Sequence, residues 1–285
     1  MKRILILLLV ITGLYIIVNP PIHFDLWNAK RANGQAEIST DTQTITLDVS
    51  SASTTIIPEK RSNVKAVYNG KQKLQVKDTG DAVEIHLKNN WFDWFNWGPS
   101  KSKLTIYIPA NYKGDMDIEL GSGSLQFFGP ESAPMKLDHV TVEIGSGRMD
   151  LKNLEVNQLQ QDVSSGAVKL DTIKANSGTF DVSSGKLDIK HYKGAVKADV
   201  ASGLFTIQMD QLTDSVTMDV SSGKVNVDLP KNADFTLESD ISSGNISCDF
   251  PLSEKESSNN HLKGKHGSGK YKLNLDVSSG NIHIF

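Results

Sequence analysis

Aspartates recur at one place in a repeated phrase of this chain, and their spacing could bring carboxylates together. The phrase is Asp-Val-Ser-Ser-Gly or a close variant, and it contributes Asp162, Asp181, Asp199 and Asp219. If each phrase belongs to one turn of a stacked fold, these side chains line up on one outer face. Stacked carboxylates repel one another and attract cations, and Ca²⁺ prefers several oxygen ligands. The pattern therefore predicts a weak cation ladder as one use of these residues.

A second interpretation of the same aspartates is structural. The acids can be solvated and offset by nearby lysines, namely Lys186, Lys190, Lys197 and Lys224. The glycine-rich repeat of known calcium-binding solenoids is absent from the sequence. The cation ladder and the solvated acidic face both stay open at this point.

An aromatic segment is the other unusual feature. It runs from residue 91 to residue 97 and contains Trp91, Phe92, Trp94, Phe95 and Trp97. Tryptophan favours membrane interfaces, and aromatic clusters often dock partners or stack on sugar rings. The segment is thus a candidate contact with a partner or a membrane. It could also bind glycan, or pack as a hydrophobic plug over the end of the fold.

Catalytic chemistry has little support in the sequence. The histidines show no metal-ligand spacing, and nucleophile elbows, phosphate loops and Cys-His arrangements are absent. The single cysteine, Cys248, alternates with Ile246 and is expected to be a small buried apolar residue. We therefore predict no catalytic, cofactor-binding or metal-binding residues, no cofactor and no enzyme activity. A polysaccharide-modifying enzyme that uses the ladder of acids is kept as an alternative.

The repeat itself predicts the architecture. Its glycines stand at positions 123, 147, 166, 185, 203, 223, 244 and 280, which are mostly 18 to 24 residues apart. A period near 20 indicates units that cannot bury an apolar face alone and must stack. We predict an all-β fold, a single β-solenoid (β-helix) of about 20-residue rungs. A β-sandwich is less consistent with one corner sequence at every second turn.

One rung shows how the phrase works. Phe180 and Val182 alternate with a polar residue, as strands do, and Leu187 and Ile189 alternate again after the corner. The Ser-Ser-Gly between them is a turn signal, because serine bonds its own backbone and glycine permits positive φ. Each rung is therefore predicted to hold two short strands that flank a tight corner.

The chain divides into three predicted parts. Residues 1–24 are a signal anchor, 25–115 an irregular antiparallel β entry and cap with the Trp-rich loop at 90–99, and 116–285 the repeats. Ala52 takes the glycine place in a degenerate rung within the cap. Residues 253–270 are polar and are predicted to form an exposed loop inserted in one rung.

The N-terminal residues predict a secretion signal or a membrane anchor. The apolar residues 4–18 follow Lys2 and Arg3, and no convincing cleavage site or lipid-attachment cysteine follows them. An uncleaved transmembrane helix is predicted, with the basic residues in the cytoplasm and the rest outside the cell. A cleaved signal peptide is the alternative.

Charge narrows the range of partners. The chain has 30 basic and 33 acidic residues and a formal net charge of −3, without a basic stripe. Nucleic acid is therefore not expected as a partner. The expected partners are therefore the membrane, through residues 4–18, and cell-wall glycan.

The rung phrase, the anchor and the aromatic segment together resemble a family of bacterial adhesin-like β-solenoids. The Asp-Val-Ser-Ser-Gly rungs carry this resemblance over roughly residues 40–285. Within this family, the chain resembles a membrane-anchored member that is encoded with a cell-envelope stress system of Bacillus-type bacteria. This closer resemblance rests on the anchor that follows Lys2 and Arg3 and on the Trp-rich segment. The resemblance implies an extracytoplasmic scaffold or interaction module, with other envelope-stress membrane proteins as partners, no established enzymatic activity and no active-site residues. A surface adhesin or glycan-binding protein is the alternative.

Overall fold

The computed structural model describes residues 30–88 and 102–285, and most of these belong to β-strands. These two ranges contain no helix, so none that is long and apolar enough to cross a membrane lies there. The prediction of an all-β fold is confirmed. The predicted transmembrane helix and the whole Trp-rich loop at 90–99 lie outside the described residues.

The strands follow one another closely along the chain. Those up to the middle of the chain are β1 (Lys30–Glu37), β2 (Thr44–Glu59), β3 (Asn63–Gly70), β4 (Lys73–Asp78), β5 (Ala82–Lys88), β6 (Lys103–Pro109), β7 (Asp115–Phe128), β8 (Met135–Ile144), β9 (Arg148–Val163) and β10 (Ala167–Val182). The others are β11 (Lys186–Val200), β12 (Leu204–Met209), β13 (Val216–Val220), β14 (Lys224–Asp228), β15 (Phe235–Ile241), β16 (Asn245–Cys248), β17 (Ser253–Ser257), β18 (Leu262–His266), β19 (Tyr271–Val277) and β20 (Asn281–Ile284).

Rungs in the middle of the chain stack residue upon equivalent residue. One ladder of paired positions runs through Leu151, Leu170, Ile189, Ile207 and Val227, and every step in it is parallel. Strands paired in this way lie about 4.8 Å apart. Parallel pairing of successive repeats matches the predicted solenoid and excludes the β-sandwich, whose sheets are antiparallel.

Each central rung bends where a single residue adopts a left-handed backbone. Asn153, Thr172 and His191 occupy equivalent places in β9, β10 and β11, with φ of 59°, 57° and 53°. The residues on either side of these corners remain paired with the next rung, while the corner residue is skipped. One continuous strand therefore supplies two faces of the rung, which the alternation of apolar residues alone did not show.

The glycine of the repeated corner is required for a reason other than the one predicted. Only Gly123 among the corner glycines has a positive φ, so conformational freedom is not the general cause. A Cβ added to Gly147, Gly166 or Gly185 would lie 2.8, 2.7 or 2.5 Å from the carbonyl oxygen of the corner glycine in the neighbouring rung. Real Cβ atoms do not approach oxygen so closely. Glycine is therefore needed because the corners are stacked backbone on backbone.

At the N-terminal end, the stack begins earlier than the predicted boundary at residue 116. β2 pairs in parallel with β7 on one edge and with β5 and β6 on the other, and Ala52 lies opposite Gly123. The outermost rung is thus β5 with β6. β4 covers β5 and β3 covers β6, both antiparallel. Both strands of this end rung are covered, which hides the edges that an open sheet would expose.

At the C-terminal end, the order of the rungs departs from the order of the chain. β19 and β20 pair in parallel with β13 and β14 on one side and with β15 and β16 on the other. The last rung of the sequence is therefore inserted between two earlier ones. Residues 253–270, predicted as a loop, contain the antiparallel hairpin β17–β18, and β18 also pairs with β15. The prediction missed the hairpin because every residue of β17 is exposed, so no alternation marks it as a strand.

The apolar core runs along the inside of the stack. Its larger members include Phe180, which packs against Tyr192 and Phe205 with ring centroids 5.9 and 5.7 Å apart. Among the described large apolar residues, Phe128 and Phe285 are exposed. Nearly all strands alternate buried and exposed residues, so the repeats bury one face and present a polar outer face.

Candidate functional site

The predicted acidic residues form one continuous ladder on the outside of the stack. Asp162, Asp181, Asp199 and Asp219 are paired position by position, as predicted. The register extends the ladder in both directions, through Asp48, Glu119 and Glu143 before Asp162 and through Asp276 and Asp240 after Asp219. Sequence reasoning missed the glutamates, although they occupy the same place before their Ser-Gly corners.

In the middle of the ladder, the neighbouring carboxyls of Asp162 and Asp199 change the titration of Asp181. Burial raises the pKa of Asp181, and a hydrogen bond with Asp162 and the negative charges of Asp162 and Asp199 raise it further. Lys197 lowers it by a smaller amount. The neighbouring carboxylates thus favour the protonated form of Asp181, which lowers the repulsion within the ladder.

Direct ion pairs contribute to the ladder mainly at its N-terminal end. Lys88 Nζ lies 3.0 Å from Asp48 Oδ2, and His86 Nδ1 lies 3.3 Å from the same oxygen. Lys186, Lys190 and Lys224 form no ion pair with any described residue. Of the lysines expected to offset the acids, Lys197 alone is seen to act on the ladder, through its charge near Asp181.

A cluster that the sequence did not indicate brings two aspartates and a histidine together. His139 Nδ1 lies 3.0 Å from Asp115 Oδ1 and 3.6 Å from Asp138 Oδ2, and the three ligand atoms lie within 4.8 Å of one another. Two carboxylates and an imidazole suit Zn²⁺ or Mn²⁺. Next to them, burial and the charge of Asp115 raise the pKa of Asp117. This is the described group best able to hold a metal.

Close pairs of a histidine and an aspartate also occur elsewhere on the stack, so the cluster at His139 is weak evidence for a metal centre. His191 Nδ1 lies 3.0 Å from Asp210 Oδ1, and His283 Nε2 lies 3.0 Å from Asp249 Oδ2. Both pairs are exposed. Pairing of a histidine with an aspartate of a neighbouring turn is thus a general feature of this surface.

The repeated corners form a shallow open groove along the stack. Its walls are serines, glycines, one alanine and two cations, contributed by residues 123–124, 146–148, 165–167 and 184–186. Arg148 and Lys186 are the cations. The groove is polar and lined by backbone, so it can offer hydrogen bonds over several rungs but does not enclose a small molecule.

A deeper cavity lies at the C-terminal end, between the last rung of the stack and the hairpin β17–β18. It has a volume of about 600 Å³ and is lined by β16, the corner before it and residues of the hairpin. Cys248 lies in its wall, half-buried, and burial raises the pKa of its thiol. The thiol therefore stays protonated and unreactive at neutral pH.

Residues 42–285 match the model of a family described as Toastrack DUF4097. The chain belongs to the Toastrack DUF4097 family. This membership agrees with the resemblance to adhesin-like β-solenoids that the rung phrase indicated. No curated protein sequence matches the chain.

Two solved structures, from a Bacteroides and a Parabacteroides species, are similar to this Toastrack chain. A candidate adhesin from Bacteroides fragilis is 16% identical, with a TM-score of 0.47, and the match covers 90% of this chain and 97% of that one. A candidate lipid-binding protein from Parabacteroides distasonis is 14% identical, with a TM-score of 0.48 and coverage of 90% and 97%. At this distance, neither likeness adds an argument about function.

The aromatic segment that is predicted to contact a partner or a membrane is not among the residues that the structure of this Toastrack chain describes. Trp91, Phe92, Trp94, Phe95 and Trp97 belong to residues 89–101, which lie outside the described residues. They follow β5 and precede β6 in the sequence. Their role in docking a partner or a membrane stays a prediction.

Proposed function

We propose that this protein is a membrane-anchored, extracytoplasmic interaction module of the bacterial cell-envelope stress response, and that it acts without catalysis. The anchor is residues 4–18, and the Toastrack domain lies outside the cell. Its partners are other membrane proteins of the stress response, which it contacts through the aromatic segment at 91–97.

The observation that carries this proposal is the even spacing of the acidic ladder. Its carboxylates stand one per rung, and register places each opposite its neighbour. A glycosidase instead needs two carboxyl groups that flank one bond across a cleft. The described acids converge on no such cleft, so the polysaccharide-modifying alternative gains no support. A long, regular and polar outer surface suits binding.

Crosslinking in living cells tests the proposal. The full chain and a Trp91/Trp94/Trp97→Ala variant are expressed in a Bacillus-type bacterium under cell-wall antibiotic stress, and crosslinked membrane proteins are identified. We expect a specific set of partners that the variant loses. Phe128→Ala is the matched control, because it removes an exposed aromatic residue elsewhere on the stack. An equal partner set for all three chains, or no extracytoplasmic labelling, contradicts the proposal.

Glycan binding is a second candidate, and the corner groove favours it. The groove offers serine hydroxyls from successive rungs together with Arg148 and Lys186, which could contact an extended anionic polymer. If so, purified cell-wall polymer should bind the chain, and Arg148→Gln with Lys186→Gln should weaken binding while the Trp91/Trp94/Trp97→Ala variant does not. The reverse pattern would place any sugar on the aromatic segment instead.

A further inference from the structure

The end rung at the C-terminal side leaves one strand edge open. β16 pairs with β20 and with no other described strand. The N–H groups of Asn245 and Asp249 donate to carbonyl oxygens of the β20 side at 3.0 and 2.9 Å. Backbone groups alternate sides along a strand, so the N–H and C=O of Ile246 and Cys248 point away from β20.

These outward groups face the C-terminal cavity. Its apolar residues are Ile241, Ile246, Leu252 and Leu262, and its polar wall comes from the corner serines and the hairpin. Ile246 and Leu262 are buried, whereas the other two are partly exposed. The cavity therefore combines free backbone hydrogen-bonding groups with an apolar patch, which is what an extended peptide needs.

Lys255, a cation in the wall of the cavity, should favour a ligand that carries a negative charge. Lys255 lines the cavity and lies near enough to Cys248 to lower the pKa of its thiol slightly. Within the described ranges, Lys255 forms no ion pair, whereas Lys265 on the same hairpin is 2.7 Å from Glu254. An acidic residue of a ligand would complement Lys255.

The other open edge at this end is protected against pairing. β17 has the sequence Ser-Glu-Lys-Glu-Ser with every residue exposed, and its register is broken by a bulge at which Glu254 has a φ of 49°. Charges and bulges are the usual means of blocking an edge strand. β16, with the sequence Asn-Ile-Ser-Cys, has neither charge nor proline. It is the receptive edge.

The hairpin also decides what can reach β16. β18 and then β17 continue the face of β15, so the hairpin extends two strand spacings, about 10 Å, beyond the last rung. A second copy of the stack brought edge to edge with β16 would collide with this hairpin. A single extended segment fits beside β16.

We propose that the open edge of β16 binds an extended peptide segment of a partner protein by strand addition. The segment donates to and accepts from the backbone of Ile246 and Cys248. It places an apolar side chain over Ile246 and Leu262 and an acidic side chain toward Lys255. The site uses no residue of the aromatic segment, and it stands whether or not the partner belongs to a stress response.

Amide exchange and peptide binding on the purified full chain in detergent test the site. The probe is a fluorescein-labelled alternating Thr-Val peptide with one Asp, and the controls are the same peptide with Asn for Asp and with alternate backbone nitrogens methylated. We expect saturable binding of the probe, weaker binding of the Asn form and none of the methylated form. The amides of Ile246 and Cys248 should exchange rapidly in the free chain and slowly with the probe bound.

Matched variants locate the binding. Cys248→Pro removes one outward N–H at an edge position that tolerates proline, and it should weaken binding roughly tenfold or more. Cys248→Ser keeps the N–H and should bind normally. Lys255→Gln should weaken binding about fivefold, and Lys263→Gln, an exposed cation on β18, should not. Thermal melting verifies that each variant is folded.

Three results would overturn the proposal. The first is an absence of saturable binding by the Thr-Val-Asp probe. The second is binding that Cys248→Pro and backbone methylation leave unchanged. The third is slow exchange of the Ile246 and Cys248 amides in the free chain, since that would show an edge already covered.

Discussion

In the middle of the stack every rung has a parallel neighbour on both sides, whereas each end rung meets strands of opposite direction. The central strands β9, β10 and β11 are paired over nearly their whole length with equivalent residues. The end strands β5, β6 and β15 are covered by β4, β3 and β18, all antiparallel. Repetition thus builds the middle, and unique sequence closes the ends.

The two ends also differ from each other. Both strands of the N-terminal end rung are covered, but at the C-terminal end β15 is covered whereas no described strand covers β16. The difference teaches that the C-terminal cap stops the stack without sealing it. Such a half-open end is where a repeat protein can accept a further strand.

The largest expected effect is on the free energy of unfolding, when a corner glycine is replaced by alanine. The loss should be larger in the middle of the stack than at its end. Gly185→Ala places a Cβ 2.5 Å from the carbonyl oxygen of Gly166, between two fixed rungs. We expect a loss of about 2 to 3 kcal/mol in the free energy of unfolding, measured with urea. Gly244→Ala makes the same kind of clash in the end rung, which can move outward, so its loss should be smaller.

Ser184→Ala is the control for the corner, because this neighbouring side chain is exposed. It should change the free energy of unfolding by less than about 0.5 kcal/mol. Equal losses for Gly185→Ala and Gly244→Ala would remove the claimed difference in rigidity between the middle and the end.

Replacing two buried polar side chains, one in the middle of the stack and one at its end, should change the free energy of unfolding in opposite directions. Gln161 is fully buried, and its Oε1 has no hydrogen-bond partner among the described residues. Ser239, at the C-terminal end, accepts from Leu262 N at 2.9 Å and donates to Leu262 O at 2.8 Å, which ties the hairpin to the stack. Gln161→Leu should raise the free energy of unfolding by about 1 kcal/mol, and Ser239→Ala should lower it by about 1 to 2 kcal/mol.

Thermal melting of both variants, together with amide exchange of the hairpin, measures this contrast. Ser239→Ala should also speed exchange in β18, whereas Gln161→Leu should leave β18 unchanged. A destabilising Gln161→Leu would mean that its Nε2 bond to Val142 O, at 3.2 Å, outweighs the unpaired oxygen.

The smallest effect concerns pH. The pKa of Asp181 is raised in the folded chain, first by burial and then by Asp162, so the folded state binds its proton more tightly than the unfolded state does. The resulting stabilisation is present below the ordinary pKa of the carboxyl and is lost as pH rises through the raised value. Asp181→Asn should therefore raise the melting temperature at pH 7 but not at pH 3. The corresponding gain in the free energy of unfolding should be less than about 1 kcal/mol.

Asp240→Asn provides the comparison at the end of the ladder. Asp240 has one acidic neighbour in register, Asp276, whereas Asp181 has two. We expect the smaller gain for Asp240→Asn in melting curves recorded across the same pH range. A larger gain at the end than in the middle would contradict the account of stacked repulsion.

Much of the site was predictable because it repeats. The place of Asp181 in its phrase was enough to align it with Asp162 and Asp199, since parallel rungs of similar length leave equivalent residues in register. The cluster of Asp115, Asp138 and His139 was not predictable. It joins residues of two different rungs at positions that no repeat marks, so only the register brings them together.

The sequence by itself determined the rung, its two-residue alternation and the position of its corner, because these depend on which residues are apolar and on the turn residues between the alternating runs. The reason for glycine at that corner lies in the stack, where a Cβ would meet a carbonyl oxygen of the neighbouring rung. Tertiary structure alone decided the order of the rungs at the ends. Every rung offers similar edges, so nothing local tells β13 and β14 to accept β19 and β20 before β15 and β16. Which edge is filled, and that β16 stays open, depends on how far each connection reaches and on what else covers the edge.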